Sequence, residues 1–304
     1  MSREPVLVLE EASKRFGTRQ ALDRLSVSVP QGTVWGLIGP NGAGKSTSFS
    51  LLCGYLRPTS GRVRVLGRDP RVPGGLKGVV GVLPQDAALP GYLPVGPLLT
   101  YLGKLSGLER PEREARVALE RVGLSDVWDV PPAALSHGMG RRVGLAQALL
   151  GDPPVVLLDE PTSGLDPKVA AEVRALVARM RGRATVLVSS HNLPELEALC
   201  DGAAILDHGR LLQAGTMAEL TARSAEFRIQ VARGDIPVAA LRALPGVATA
   251  TLRPDGLLSV VLDPKAESPD AVLSATLRLL LDAGVVVTGV SQGQSLESRV
   301  LALT

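Results

Sequence analysis

The sequence predicts an α/β fold: a mixed sheet with an N-terminal antiparallel section, a mainly parallel core and an inserted helical block. A small α+β domain follows. Three observations predict this. Apolar runs at 34–38, 78–83, 155–158 and 184–189 are almost continuously hydrophobic, as strands covered on both faces must be. A glycine-rich turn separates the first of these runs from a segment with helical apolar spacing. From about residue 225 the pattern reads βαββαβ, the order of a ferredoxin-like sandwich.

Taken in chain order, 6–10, 25–29 and 62–66 read as the antiparallel section, and 34–38 opens the parallel core. The helix after the glycine-rich turn is expected over 46–56, with Phe49, Leu52, Cys53 and Leu56 on one face. Between 97 and 148 helices dominate. Leu98, Leu99, Leu102 and Leu105 fall on one face, and Ala115, Leu119 and Val122 on another. Pro131-Pro132 breaks the chain before a further helix at 140–150, and the helical block as a whole is placed at about 86–150. Residues 203–214 read as a closing hairpin turning at His208-Gly209. The first domain is expected to span 1–222 and the second 223–304. The second comprises strand 227–231, helix 237–244, strands 247–253 and 257–262 joined by a Pro254-Asp255-Gly256 turn, helix 269–283, strand 285–291 and a last helix at 296–303.

The turn itself reads Gly39-Pro40-Asn41-Gly42-Ala43-Gly44-Lys45-Ser46-Thr47. This is the phosphate-binding pattern G-x-x-x-x-G-K-[ST]. Consecutive backbone N–H groups curl around nucleotide phosphates at a helix N-terminus that carries partial positive charge. Lys45 would reach the β- and γ-phosphates, and the Ser46 hydroxyl would be a Mg²⁺ ligand. A second constellation ends the run at 155–158, where Asp159-Glu160 follow directly. Acids at the C-terminal end of a parallel strand face the crevice where ligands bind. There Asp159 would hold Mg²⁺ and Glu160 would orient or deprotonate an attacking water.

Bulk properties bound the rest. The 304 residues carry net charge +3, with 45% hydrophobic and 21% charged residues, so the chain is globular and long enough for two domains. The basic residues are scattered and aromatics make up only 3%, which argues against a nucleic-acid groove or a base-stacking platform. Cys53 and Cys200 read as small buried apolar residues in a reducing compartment. The segment nearest to a membrane span, 277–290, is interrupted by Arg278, Asp282 and Gly284, and no secretory leader is recognisable at the start. The expectation is a cytoplasmic protein that reaches a membrane only through a partner.

Six motifs in order carry a resemblance: 39–47, then Leu83-Pro84-Gln85-Asp86, Leu135-Ser136-His137-Gly138-Met139, 155–160, Ser163-Gly164-Leu165-Asp166 and Ser190-His191. Over about residues 5–218 the chain resembles the ATPase subunit of an ATP-binding-cassette (ABC) transporter, a P-loop NTPase. The resemblance implies ATP and Mg²⁺ as cofactors and assigns further roles. Phe16 would lie against adenine. Gln85 would sense γ-phosphate and Mg²⁺, serve as a further metal contact and couple to the membrane partner. His191 would contact γ-phosphate, and Asp166 would communicate between two sites. Ser136 and Gly138 would meet nucleotide held by a second subunit. His137 and Met139 depart from the family's usual Leu-Ser-Gly-Gly-Gln, which leaves the helix dipole behind the motif unaffected. In the family two cassettes sandwich two ATPs and drive a separate integral-membrane permease. The C-terminal unit and the closing segment 295–304 resemble bacterial exporter-type ATPases, with a dimer-stabilising or regulatory cap as the expected role of the unit. Two alternatives stand beside this reading: a soluble ABC-type ATPase acting on DNA or ribosomes, and an idle nucleotide-sensing regulator. One cassette without sustained heptads or cysteine clusters disfavours the first, and Lys45, Asp159, Glu160 and His191 together disfavour the second.

Overall fold

The computed structural model describes residues 4–85, 89–221, 226–263, 268–292 and 296–303. Two compact units divide at Thr216/Met217, six residues before the expected boundary, which itself falls outside the described residues. The difference is one short helix, Met217–Thr221, which packs on the last helix of the second unit.

In the first unit, β1 (Pro5–Phe16), β2 (Arg19–Pro30) and β4 (Ser60–Val65) form an antiparallel sheet in the order β2-β1-β4. β1 runs six residues past the expected end. Its register against β2 shifts between Leu9 and Ala12 and twice more before Arg15, so the apolar alternation is broken while pairing continues. β3 (Val34–Ile38), β5 (Val80–Leu83), β6 (Val155–Asp159), β7 (Thr185–Ser189), β8 (Gly202–Asp207) and β9 (Arg210–Thr216) form a second sheet, ordered β5-β6-β7-β3-β8-β9. All its pairings are parallel except the β8–β9 hairpin, which turns at His208-Gly209 as expected. Every residue of β3, β6 and β7 is buried, the signature of strands covered on both sides.

Helix α1 (Lys45–Leu52) follows β3 and stops at the Cys53 cap, four residues earlier than its apolar spacing suggested. Phe49, Leu51 and Leu52 pack with Leu7, Leu9, Leu25 and Val27 of the small sheet and Leu157, Leu187 and Leu206 of the large one, forming one core. Each such side chain removed from water contributes about 1.5–3 kcal/mol. Helices α2 (Val95–Leu105), α3 (Pro111–Arg121) and α4 (His137–Ala148) form the helical block between β5 and β6. Leu98 and Leu99 are buried there as expected, but Leu105 is 55% exposed at the end of α2. Ala115, Leu119 and Val122 are all buried. α5 (Pro167–Arg179) and α6 (Leu193–Leu199) complete the unit.

After α7 (Met217–Thr221), the second unit contains β10 (Glu226–Arg233), α8 (Val238–Arg242), β11 (Val247–Leu252), β12 (Leu257–Leu262), α9 (Pro269–Asp282), β13 (Val286–Gln292) and α10 (Leu296–Leu303). The antiparallel sheet order is β11-β12-β10-β13, so the four strands stand 2-3-1-4, as in a ferredoxin-like sandwich. Phe227, Ile229, Leu258, Val260, Val272 and Leu280 fill its separate core. Among the described residues no helix is long and apolar enough to cross a membrane.

Candidate active site

Because β5, β6, β7 and β3 are parallel neighbours, the segments leaving their C-terminal ends emerge along one edge of the sheet. They carry Gln85, Asp159-Glu160, Ser190-His191 and the loop 39–44 respectively.

Gly44 caps α1 with φ 103°, and a Cβ there would lie 2.5 Å from Leu22 Cδ2 and 2.9 Å from Ala21 O. Only glycine fits. No side chain caps α1 and no acid stands in its first turn, so the cradle of N–H groups is not competed for by the protein's own side chains. Ser46 is exposed at that end, as are Pro40, Asn41 and Gly42, while Ala43 is buried and Thr47 is half-buried. Lys45 Nζ donates to Gly39 O at 2.6 Å and Pro40 O at 3.1 Å. Burial lowers the Lys45 ammonium below its ordinary range, opposed by the charges of Glu160 and Asp159.

The carboxylates are fixed from behind. Ser189 Oγ donates to Asp159 Oδ1 at 2.5 Å and accepts from the Glu160 N–H at 3.0 Å. Asp159 is 4% exposed. Glu160 is buried with φ 53°, a left-handed conformation uncommon for a non-glycine residue. Its Oε2 lies 2.8 Å from Nδ1 of His191, whose side chain is exposed. Among the described residues no three His, Cys, Asp or Glu cluster to hold a metal. Mg²⁺ is commonly held by one or two carboxylates with substrate phosphates rather than by a protein cage. Asp159 and the Ser46 hydroxyl are the groups of the right chemistry, with the exposed Gln85 side chain on the neighbouring strand end.

The remaining expected residues are distributed as follows. Phe16 ends β1 and is 46% exposed, with Lys14 Nζ 5.1 Å from its ring centroid, so a face is open for stacking. Asp166 Oδ1 accepts from Lys168 N and Val169 N, which makes it the N-cap of α5. Asp86 and Ser295 lie outside the described residues. Helix α4 starts at His137, not at residue 140, because Ser136 Oγ accepts from Met139 N and serves as its N-cap. Ser136, His137 and Gly138 therefore stand at a helix N-terminus. A Cβ on Gly164 would lie 2.9 Å from His137 Nε2, so the imidazole rests against the 163–166 loop of its own chain. Sequence reasoning missed Ser189 and the buried Arg141. A serine ending a strand and an arginine in a helix carry no signal of their own.

The family described as "ABC transporter" matches residues 22–163. The daunorubicin resistance ATP-binding protein DrrA3 of Streptomyces coeruleorubidus is 38% identical over 93% of this chain and 90% of its own length. The chain belongs to the ABC transporter family. It is an ATP-binding, ATP-hydrolysing subunit of a transporter built on the P-loop cassette fold. The Nod factor export ATP-binding protein I of Ralstonia nicotianae is 37% identical over 71% of this ABC subunit and 68% of its own length. A solved ATP-binding subunit of an ABC transporter superposes with a TM-score of 0.66 at 28% identity, covering 71% of this chain and 91% of that one.

Proposed function

We propose that this ABC ATPase pairs with a second cassette, homologous or identical, around two MgATP molecules and drives export through a separate integral-membrane permease. The observation that carries the reading is the convergence of Lys45, Asp159, Glu160 and His191 on one sheet edge, with a Glu160–His191 contact of 2.8 Å. Backbone N–H groups of 39–47 and Lys45 cradle the phosphates, and Phe16 stacks on adenine. Ser46, Asp159 and Gln85 would hold Mg²⁺, and the ion would supply neutralisation of phosphate charge. Glu160 accepts a proton from, or orients, the attacking water, and His191 holds that carboxylate and reaches γ-phosphate.

Ser136 and Gly138, at the N-terminus of α4, present its positive end to nucleotide bound by the partner. Asp166, by fixing the start of α5, links the facing loop to that interface. ATP then favours the closed pair, and its cleavage removes the γ-phosphate that held the pair together. Transport needs helices in lipid, so the permease supplies them and holds this subunit at the cytoplasmic face. Export is supported by relatives named for daunorubicin resistance and Nod factor export. The second unit serves as a dimer-stabilising or regulatory cap.

Detergent extraction of a tagged full chain tests this. We expect recovery with an integral-membrane protein and Mg²⁺-dependent phosphate release. Recovery with nucleic acid or ribosomes alone would refute the transport role, and absence of phosphate release would refute hydrolysis.

A further inference from the structure

Resting on that reading, we propose that Arg141 is a positioning residue for hydrolysis. Its guanidinium sets Gln85 in place relative to the Asp159-Glu160 pair. Arg141 lies on α4, one turn after the Ser136 cap, and is only 9% exposed. Nη1 donates to Pro84 O and Gln85 O, both at 2.8 Å. Nη2 donates to Asp159 O at 2.5 Å and Glu160 O at 2.8 Å. One planar group thus spans two consecutive carbonyls on each of two chain segments.

The location explains why such a group is useful. The parallel ladder between β5 and β6 ends at Leu83↔Leu158. Beyond that pair the two strands no longer hold each other, yet the residues that follow are the glutamine and the carboxylates. Arg141 takes over where the ladder stops. The two terminal nitrogens of a guanidinium offer four N–H groups in a rigid plane, which matches four carbonyl acceptors. A lysine ammonium is a single point with three donors and cannot span both segments. The same side chain ties both segments to α4, whose N-terminus carries Ser136 and Gly138. A shift of that helix is therefore transmitted to the Gln85 and Glu160 backbone.

Arg141→Lys in the full-length chain tests this, alone and combined with Gln85→Ala. We expect kcat to fall by about tenfold or more, with the Kd for ADP, which depends on the phosphate loop, unchanged within about threefold. The two substitutions are expected to be non-additive, the double variant losing less than the product of the single losses. Three results would overturn the inference: turnover of Arg141→Lys within about twofold of wild type, multiplicative losses, or loss of ADP binding together with the thermal transition, which would make the guanidinium a fold-holding group. Wild-type protein without turnover would instead overturn the reading beneath it, whereas an active wild type with an unaffected Arg141→Lys variant overturns this inference alone.

Discussion

Replacing Ser189 with alanine removes one hydroxyl from a site that is 0% exposed. That hydroxyl donates to Asp159 Oδ1 and accepts from the Glu160 N–H. The Glu160 N–H keeps a second acceptor, Ser189 O at 3.2 Å, so its loss is partial. The carboxylate loses a charge-assisted bond in a buried setting, worth about 1.5–3 kcal/mol. The volume change is one oxygen, so the cavity contribution is small. We therefore expect about 2 kcal/mol of destabilisation in the first unit, or a fall in Tm of roughly 4–8 °C for a unit of this size. Scanning calorimetry of the nucleotide-free chain reads the shift. Phosphate release should fall as well, because Asp159 and Glu160 lose their common support. A Tm within about 1 °C of wild type with unchanged turnover would refute the reasoning.

Three other outcomes are expected. Lys45→Ala should weaken nucleotide binding itself, measured by titration with a fluorescent ADP analogue; unchanged affinity would remove Lys45 from the phosphate cradle. Gly44→Ala should cost about 2–4 kcal/mol in denaturant unfolding, combining positive-φ strain with the clash against Leu22 and Ala21. Unfolding free energy should fall as pH rises above 9. Burial, reinforced by the Asp159 charge, pushes the Cys53 thiol from 9.0 up to about 12, and burial raises Cys200 above the ordinary thiol range. Unfolded thiols then lose protons that the folded thiols keep. Their stabilisation is complete below pH 9 and declines from there toward 12 for Cys53, by at most ~1.4 kcal/mol per pH unit per thiol. Lys45, lowered by burial, acts in the opposite sense. A Cys53→Ala/Cys200→Ala variant with the same alkaline slope as wild type would rule out the thiols as its cause.

Much of the fold was legible because burial on both faces leaves an unbroken apolar run. β3 has the boundaries its sequence suggested, and β6 and β7 differ by one residue. β12 also has its expected boundaries, though its burial alternates along the strand. The phosphate loop was legible for a different reason: its glycines and Lys45 serve local geometry that few other residues supply. The start of α4 was not, because Gly138 and Gly140 are poor helix formers and hid a helix that Ser136 caps. The full length of β1 was hidden by its register shifts. Of the candidate site, the residues proposed to meet the nucleotide were singled out by motifs. Ser189 and Arg141, which hold those residues from behind, act through backbone carbonyls, an N–H and a buried carboxylate that come together only in the folded sheet.

We propose that Glu160 acts on the attacking water when this protein cleaves ATP. Phosphate release by the Glu160→Gln full-length chain, with MgATP binding measured on the same sample, tests it most directly. We expect MgATP binding to be retained while release falls by about 10²-fold or more. Release at the wild-type rate from a variant that binds MgATP normally would contradict it.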